Sequence, residues 1–380
     1  MQRIPSDPRP NYQERIESVC LLWHDRDDYW NERAYYRFTA GEVDCLEAAT
    51  NELHARCLDA VQHVIDRRRY PEFGIPDSAR ALIERSWNND WPSLYGRFDF
   101  AYNGVDPPKL LEYNADTPTA LLEASVVQWY WLEDLFPKAD QFNSIQERLV
   151  ATWKDLALYL PGRIVHFAAV EDTEERVTVT YLADTAVQAG LKTSLIPLDQ
   201  IGYDQTLKSF VGNNGEPLQN VFKLYPWEWM VNEPFFEHLI GRGEKVNWIE
   251  PPWKMILSNK AILAVLWELF PGHPNLLEAH LDGPHGMTQY VRKPFCSREG
   301  EGVEILDAPT PSEPRPSGSG PVHRSGDQHV YQSFARPVTF AERYPIIGSW
   351  VIGGEAAGIG IRESSGPVTN NTSQFVPHLF

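Results

Sequence analysis

Arg97, Asp99, Glu112 and Asn114 fall within residues 95–119, YGRFDFAYNGVDPPKLLEYNADTPT. Residues 97–102 alternate apolar and polar side chains, residues 109–114 supply a second strand, and Asn103-Gly104 with Asp106-Pro107-Pro108 marks the turn between them. Side chains two apart share a strand face. Arg97 and Asp99 therefore point one way, as do Glu112 and Asn114. If the strands pair, two carboxylates, an amide oxygen and a guanidinium meet in one patch. Hard oxygen donors of this kind suit Mg²⁺, which takes one or two carboxylates and shares its other positions with water and substrate phosphates. A charged outer face of an ordinary hairpin has the same pattern, so the rest of the chain must decide.

Later residues add cations. Lys260 stands at the start of a helical run, residues 261–270, where backbone N–H groups favour an anion. Lys293 lies near the end of a short strand, 290–294, followed by the loop 296–302, CSREGEG, with Ser297, Arg298, Gly300 and Gly302. A return strand follows at 303–306. This resembles a flap over nucleotide phosphates, glycine allowing close backbone approach. It contains neither GxGxxG nor a Walker A sequence.

The elements that must position these groups are legible in outline. Helices are expected at 41–69, at 76–87 with Asp77-Ser78 as cap, from Pro118-Thr119 through Trp131, and at 144–160. Asp116 and Thr117 directly precede the third of these. Residues 163–170 form an apolar strand leading to an acidic loop, 171–175, then a helix, 178–189, and strands at 193–198 and 221–225. Strand, helix, strand is a parallel-sheet unit, and ligands sit beyond the carboxyl ends of such strands. That puts Glu171 and Asp172 at a substrate edge, with a solvated acidic loop as the alternative. Residues 308–327, rich in Pro, Ser and Gly, read as a mobile surface loop. Strands return at 329–334, at 346–352 and at 357–362, the last ending in Arg362, and the tail after 370 has no helical period.

Composition bounds the reading. The 380 residues suffice for two or three packed units, and 42% hydrophobic with 12% aromatic residues supports a large core. A net charge of −18 repels nucleic acid and anionic membrane, so a phosphate ligand needs a local basic site. No apolar run reaches membrane length, the first 15 residues lack a signal core, and Cys20, Cys45, Cys57 and Cys296 form no CxxC pair. A cytoplasmic soluble protein without a disulfide framework is expected. Trp129, Trp131, Trp227, Trp229 and Trp267 sit in apolar or helical runs, which favours burial over a sugar-binding surface.

The segments RFD, LEYNADTPT, QFNSIQE, FKLYPWEW, SNKAIL, VRKPFCSREG, IIGSW and GIGIRE together resemble the glutathionylspermidine synthase family, and within it the stand-alone synthetase-like acid–amine ligases. The resemblance spans nearly the whole chain. It implies an α/β, circularly permuted ATP-grasp fold, with metal ligands early and nucleotide lysines late. Its three parts would be 1–160, with the metal-binding hairpin, 161–250, a parallel α/β substrate domain, and 251–380, with the nucleotide-binding lid. It implies that Asp99, Glu112 and Asn114 hold two Mg²⁺ ions and that Arg97 contacts the transferred phosphate and the carboxylate substrate. Lys260 and Lys293 would bind ATP phosphates under the loop of Ser297, Arg298, Gly300 and Gly302, and Tyr331, Gln332 and Ser333 would meet the adenine edge. Arg362 would steady an acyl phosphate. Thr117, Glu171 and Asp172 match positions that handle a thiol peptide and a polyamine. The implied reaction is ATP-dependent amide formation between a carboxylate and an amine, with no amidase domain and hence no cysteine hydrolase activity. Leu224 stands where a hydroxyl residue is expected and Asp172 replaces a longer carboxylate, departures that bear on the substrates rather than on the ATP chemistry. A regulatory nucleotide-binding protein is the alternative. It would lack a metal ligand or a lysine, and none is missing.

Overall fold

The computed structural model describes residues 1–241, 246–307, 328–336, 338–370 and 372–380. A five-stranded antiparallel sheet joins the two ends of the chain, in the order Gln374–Val376, Glu355–Ser364, Tyr344–Ile352, Tyr95–Ala101, Lys109–Asn114. The acidic hairpin forms as expected. Arg97 lies opposite Asn114, and Asp99 opposite Glu112, with an irregularity after Asp99. On its other side the strand pairs Arg97 with Trp350 and Asp99 with Gly348.

Burial fixes which face is which. Phe98 and Phe100 are fully buried, and Phe98 stacks on Tyr113 with centroids 3.9 Å apart. They share an apolar core with Leu46, Leu53, Val61 and Val64 of the helix Ala40–Arg67. That helix starts at a capping box, Thr39 accepting from the Glu42 N–H and Glu42 accepting from the Thr39 N–H. With Phe98 and Phe100 committed to the core, alternation sends Arg97, Asp99 and Glu112 to the opposite face. Buried ion pairs anchor the strand ends. Glu250 meets Lys254 at 2.5 Å and accepts from the N–H groups of Leu94 and Tyr95, where the first strand enters. Asp116, just past the second, meets Lys223 at 2.6 Å and accepts from the Trp227 N–H.

The expected parallel unit is a four-stranded sheet, Asn247–Ile249, Asn220–Leu224, Ile164–Ala169, Lys192–Pro197, all parallel. Its crossing helix is Thr173–Gln188, so residues 173–175 are helical rather than loop. Asp172 is the N-cap, its Oδ1 accepting from the Glu174 and Glu175 N–H groups at 2.9 and 3.2 Å. A capping aspartate followed by two glutamates complements the helix dipole, which is why the acidic run starts the helix.

A second antiparallel sheet has the order Ala279–His280, His329–Ser333, Gln289–Pro294, Glu304–Asp307, and contains the expected flap strands. Residues 308–327, expected as a mobile loop, lie outside the described residues. A three-stranded sheet of Gln2–Pro5, Ala34–Arg37 and His378–Leu379 secures both ends of the chain. No helix among the described residues is long and apolar enough to cross a membrane.

Three local expectations change. The helix expected from Pro118 starts at Leu121, because Ala120 has φ +64°, and residues Glu123–Val127 are π-helical. Asp77 is the first residue inside the helix Asp77–Asn88, and no side chain caps it. Trp131 and Trp227 are buried as expected, but Trp129 and Trp229 are 42% and 47% exposed. Residues 129 and 131 fall on different sides of one helix, and the Trp229 ring is covered by the Arg298 guanidinium at 4.8 Å.

Candidate active site

Arg97 runs along the sheet face toward Asp99. Nε donates to Asp99 Oδ1 at 2.7 Å, Nη2 to Oδ2 at 3.0 Å and Nη1 to the Thr119 carbonyl at 2.5 Å. Both members of the pair are about 5% exposed. Gly348 makes the space, since a Cβ there would lie 2.9 Å from Arg97 Cδ and 3.2 Å from Nε. We therefore expect Gly348→Ala to displace the Arg97 fork, costing about 1–3 kcal/mol in a urea melt, the usual penalty of overpacking. It should lose turnover with it. Unchanged stability would show that the Arg97 stem has slack.

Glu112 meets Lys260 at 3.2 Å and accepts from the Asn114 amide at 3.1 Å. Burial alone would push its carboxyl up, but Lys260, Lys293, the Asn114 amide and Arg97 outweigh burial and hold it at about 2. Lys260 also donates to the Ser297 carbonyl at 2.7 Å. Lys293 donates to the Leu111 carbonyl at 2.8 Å and to Gln332 Oε1 at 2.6 Å, and Gln332 in turn donates to the Leu110 carbonyl. Burial lowers the Lys293 ammonium to about 8, with Glu112 opposing and Lys260 adding to the fall.

These groups face two cavities. The first, about 100 Å³, is lined by the charged Asp99, Glu112, Lys260 and Lys293 and by apolar Val291 and Ile305, with Ser297, Gly300, Gln332 and Ser333 also on its wall. The second, about 250 Å³, is lined by Arg97, Asn114, Thr117, Arg298, Glu299 and Arg362. Both include Glu112, Lys260 and Ser297, so the cavities adjoin there. Arg298 donates to Thr117 Oγ1 at 2.9 Å. The half-buried Arg362 side chain has no hydrogen bond or ion pair among the described residues. The loop between the flap strands lies close to residues 367–369: Gly300 has φ +74°, and a Cβ on it would sit 2.4 Å from the Thr369 carbonyl.

Sequence reasoning missed a cluster near Arg362. Glu123, 1% exposed, accepts from Tyr29 Oη at 2.7 Å and Trp23 Nε1 at 3.3 Å. Burial raises its carboxyl, with these donors and Arg362 opposing. Glu174 is pushed up to about 7 by burial, Glu123, Asp172 and Glu299. The one local signal was a glutamate inside the apolar run LLEASVV.

Not every expected residue gathers here. Glu171 is exposed and Asp172 is engaged in its cap, and neither lines either cavity. Tyr331 pairs across from Arg292 and has its ring near Tyr290, and Gly302 packs against Pro294, both outside the two linings.

A family described as glutathionylspermidine synthase preATP-grasp matches residues 3–380. A Haemophilus influenzae protein named "Putative acid--amine ligase" is 40% identical over 394 residues, covering both chains completely. The trypanothione synthetase of Crithidia fasciculata is 29% identical, matching 96% of this chain and 57% of its own length. The bifunctional glutathionylspermidine synthetase/amidase of Escherichia coli is 26% identical over 90% of this chain and 58% of its own. The chain thus spans a little over half the length of these two synthetases. In three dimensions, a glutathione synthetase-like effector from Globodera pallida overlays with a TM-score of 0.60 at 11% identity, over 98% of this chain and 97% of that one, a likeness of fold alone. With a match from residue 3 to residue 380, the chain belongs to the glutathionylspermidine synthase preATP-grasp family.

Proposed function

We propose that this chain is an ATP-dependent carbon–nitrogen ligase that activates a small carboxylate as its acyl phosphate and passes the acyl group to an amine. The observation that carries the reading is the meeting of Glu112, Lys260 and Lys293 with Arg362, unpaired among the described residues, around two adjoining cavities. The names of the full-length relative and of the synthetases support it. The order of the chain, acidic hairpin before lysines, supports a circularly permuted ATP-grasp unit. In this reading 1–160 and 251–380 build that unit, and 161–250 is the substrate domain.

The donor set fits Mg²⁺. Glu112 is ionised at any working pH, Arg97 leaves lone pairs free on Asp99, and Asn114 Oδ1 accepts no hydrogen bond among the described residues. Asp99, Glu112 and Asn114 would hold two ions, which neutralise nucleotide phosphates. Lys260, Lys293 and the loop residues Ser297 and Gly300 receive those phosphates, with Gly302 turning the loop outside the cavity linings. Val291 and Ile305 offer an apolar wall to the base, with Gln332 and Ser333 at its edge. Arg97 and Arg362 hold the acid so that its carboxylate oxygen attacks the γ-phosphorus as the bond to ADP breaks. The amine nitrogen then attacks the acyl carbon, phosphate leaves, and the nitrogen gives up a proton. Glu171 or Glu174 would take that proton; burial pushes Glu174 up to about 7, and neither residue lines the two cavities. The acidic surroundings suit a cationic amine of the polyamine type, and Thr117 with Arg298 faces the acid.

The test is ADP release with Mg²⁺ and ATP, screened over carboxylates alone and then carboxylate–amine pairs, with products weighed by mass spectrometry. A pair that raises ADP release and yields the condensed mass establishes the reaction. Tight ATP binding with no pair stimulating turnover turns the reading toward a nucleotide-binding regulator.

Lys293 supplies a pH test. Its ammonium titrates near 8 rather than 10.5. We expect kcat/KM for ATP to fall about tenfold from pH 7 to pH 9 as that charge is lost, and Lys293→Arg, which does not titrate there, to remove the fall. The same fall in the arginine variant would assign it to another group. Stability of the empty protein should move the other way. A lysine with a depressed folded pKa destabilises while protonated, so this contribution improves as pH rises from about 8 toward 10.5.

A further inference from the structure

We propose that the loop following the strand Ala279–His280 holds a second cation site, a transition-metal site of the Zn²⁺ class built by His280, Asp282 and His285. One ligand atom from each of the three lies within 4.8 Å of the others. The segment reads EAHLDGPH, residues 278–285. Gly283 with φ +144° and His285 with φ +49° turn the chain back, so the His285 ring stacks on the His280 ring with centroids 3.9 Å apart. His285 Nε2 lies 2.6 Å from Asp282 Oδ1, and His280 Nε2 lies 2.9 Å from Glu278 Oε1. The site thus offers two imidazoles, one carboxylate within reach and a second carboxylate that orients a ring.

The chemistry of this set differs from that of the acidic hairpin. Imidazole nitrogen selects Zn²⁺, Co²⁺ or Ni²⁺, whereas Mg²⁺ takes all-oxygen sites. Three protein ligands leave a position open for water. The placement gives occupancy a structural consequence. The Glu278 carbonyl accepts from the Ser333 N–H at 2.7 Å, and Ala279 and His280 pair with Gln332 and Tyr331. A cation clamping this turn therefore stiffens the strand whose Gln332 holds Lys293.

The experiment is a Co²⁺ titration of the full chain in millimolar Mg²⁺, read by visible absorption and followed by Zn²⁺ competition, with melting temperatures alongside. We expect one Co²⁺ equivalent, displaced by Zn²⁺, that raises the melting temperature. Affinity should fall at least about tenfold in His280→Ala and in His285→Ala, and persist in Glu112→Gln. Since His285 is exposed and His280 half-exposed, neither alanine variant should unfold, which circular dichroism checks. No Co²⁺ uptake against Mg²⁺, or uptake unchanged in both histidine variants, overturns the proposal. Loss of uptake in Glu112→Gln alone would move the ion to the acidic hairpin and overturn it equally.

Discussion

Glu112→Gln is expected to lower acid- and amine-dependent ADP release about a thousandfold or more while the protein stays folded at pH 7. The substitution keeps size and one acceptor oxygen and removes only the charge. That charge is what the site has been built to keep, since Lys260, Lys293 and Arg97 hold the carboxyl at about 2 against its burial. Without it, Lys260 and Lys293 face one fewer anion, and the donors proposed for Mg²⁺ keep one carboxylate, Asp99. The fold survives because the Glu112 side chain is 27% exposed and Lys260 retains its bond to the Ser297 carbonyl. Asp99→Ala is the poorer test. It strands Arg97 as a buried cation without its partner, a loss of about 3–5 kcal/mol, so inactivity there would report unfolding as readily as chemistry. The pH dependence separates the cases further. A carboxyl depressed from 4.5 to about 2 stabilises above 4.5, and that contribution is lost as pH falls through this window toward 2. Acid melts of the glutamine variant should lack it. Turnover within tenfold of wild type, at an unchanged melting temperature, would remove Glu112 from the metal set.

What could be read from the sequence followed from local periodicity. Alternation in RFDFAY and LLEYN with a tight turn between indicated the hairpin, and the structure sets Asp99 opposite Glu112 while Phe98 and Phe100 enter the core. The parallel unit was legible for the same reason. What failed depended on partners far away in the chain. The helix after the hairpin starts late because the chain first turns at Ala120, where the Thr119 carbonyl accepts from Arg97. Glu123 gave a weak signal because its donors, Trp23 and Tyr29, come about a hundred residues earlier. Nothing local announces that strands after residue 344 complete a sheet begun at residue 95. At Asp172 the acidic run reads as a substrate edge or a solvated loop, and the helix cap its Oδ1 forms with the Glu174 and Glu175 N–H groups lies outside both readings.

Arg362→Met is expected to lower turnover by about a hundredfold to a thousandfold, the usual loss of one donor to a developing anion, with the melting temperature and the KM for ATP near wild type. The argument rests on how the other cations of the site are occupied. Arg97 is forked onto Asp99, Lys260 faces Glu112, Lys293 is held by Gln332, and Arg298 is bonded to Thr117. Arg362, on the strand Glu355–Ser364, projects into the second cavity with no such partner among the described residues. A half-buried guanidinium with no hydrogen bond or ion pair among the described residues gains little for the fold, so removing it should change stability by no more than about 0.5 kcal/mol. In the proposed reaction the anion it would meet is the transferring phosphoryl group or the acyl phosphate, present only during turnover. Burial raises both Tyr29 and Glu123, Arg362 opposes the rise in each, and neither accepts a hydrogen bond from it. Arg362→Lys should recover part of the loss, as a point charge without the planar fork. A fall of several degrees in melting temperature, or a raised KM for ATP at unchanged kcat, would instead make Arg362 a structural or nucleotide-binding group. The acyl phosphate would then have to be steadied by Arg97, whose three nitrogens each already donate one bond, to Asp99 or to the Thr119 carbonyl.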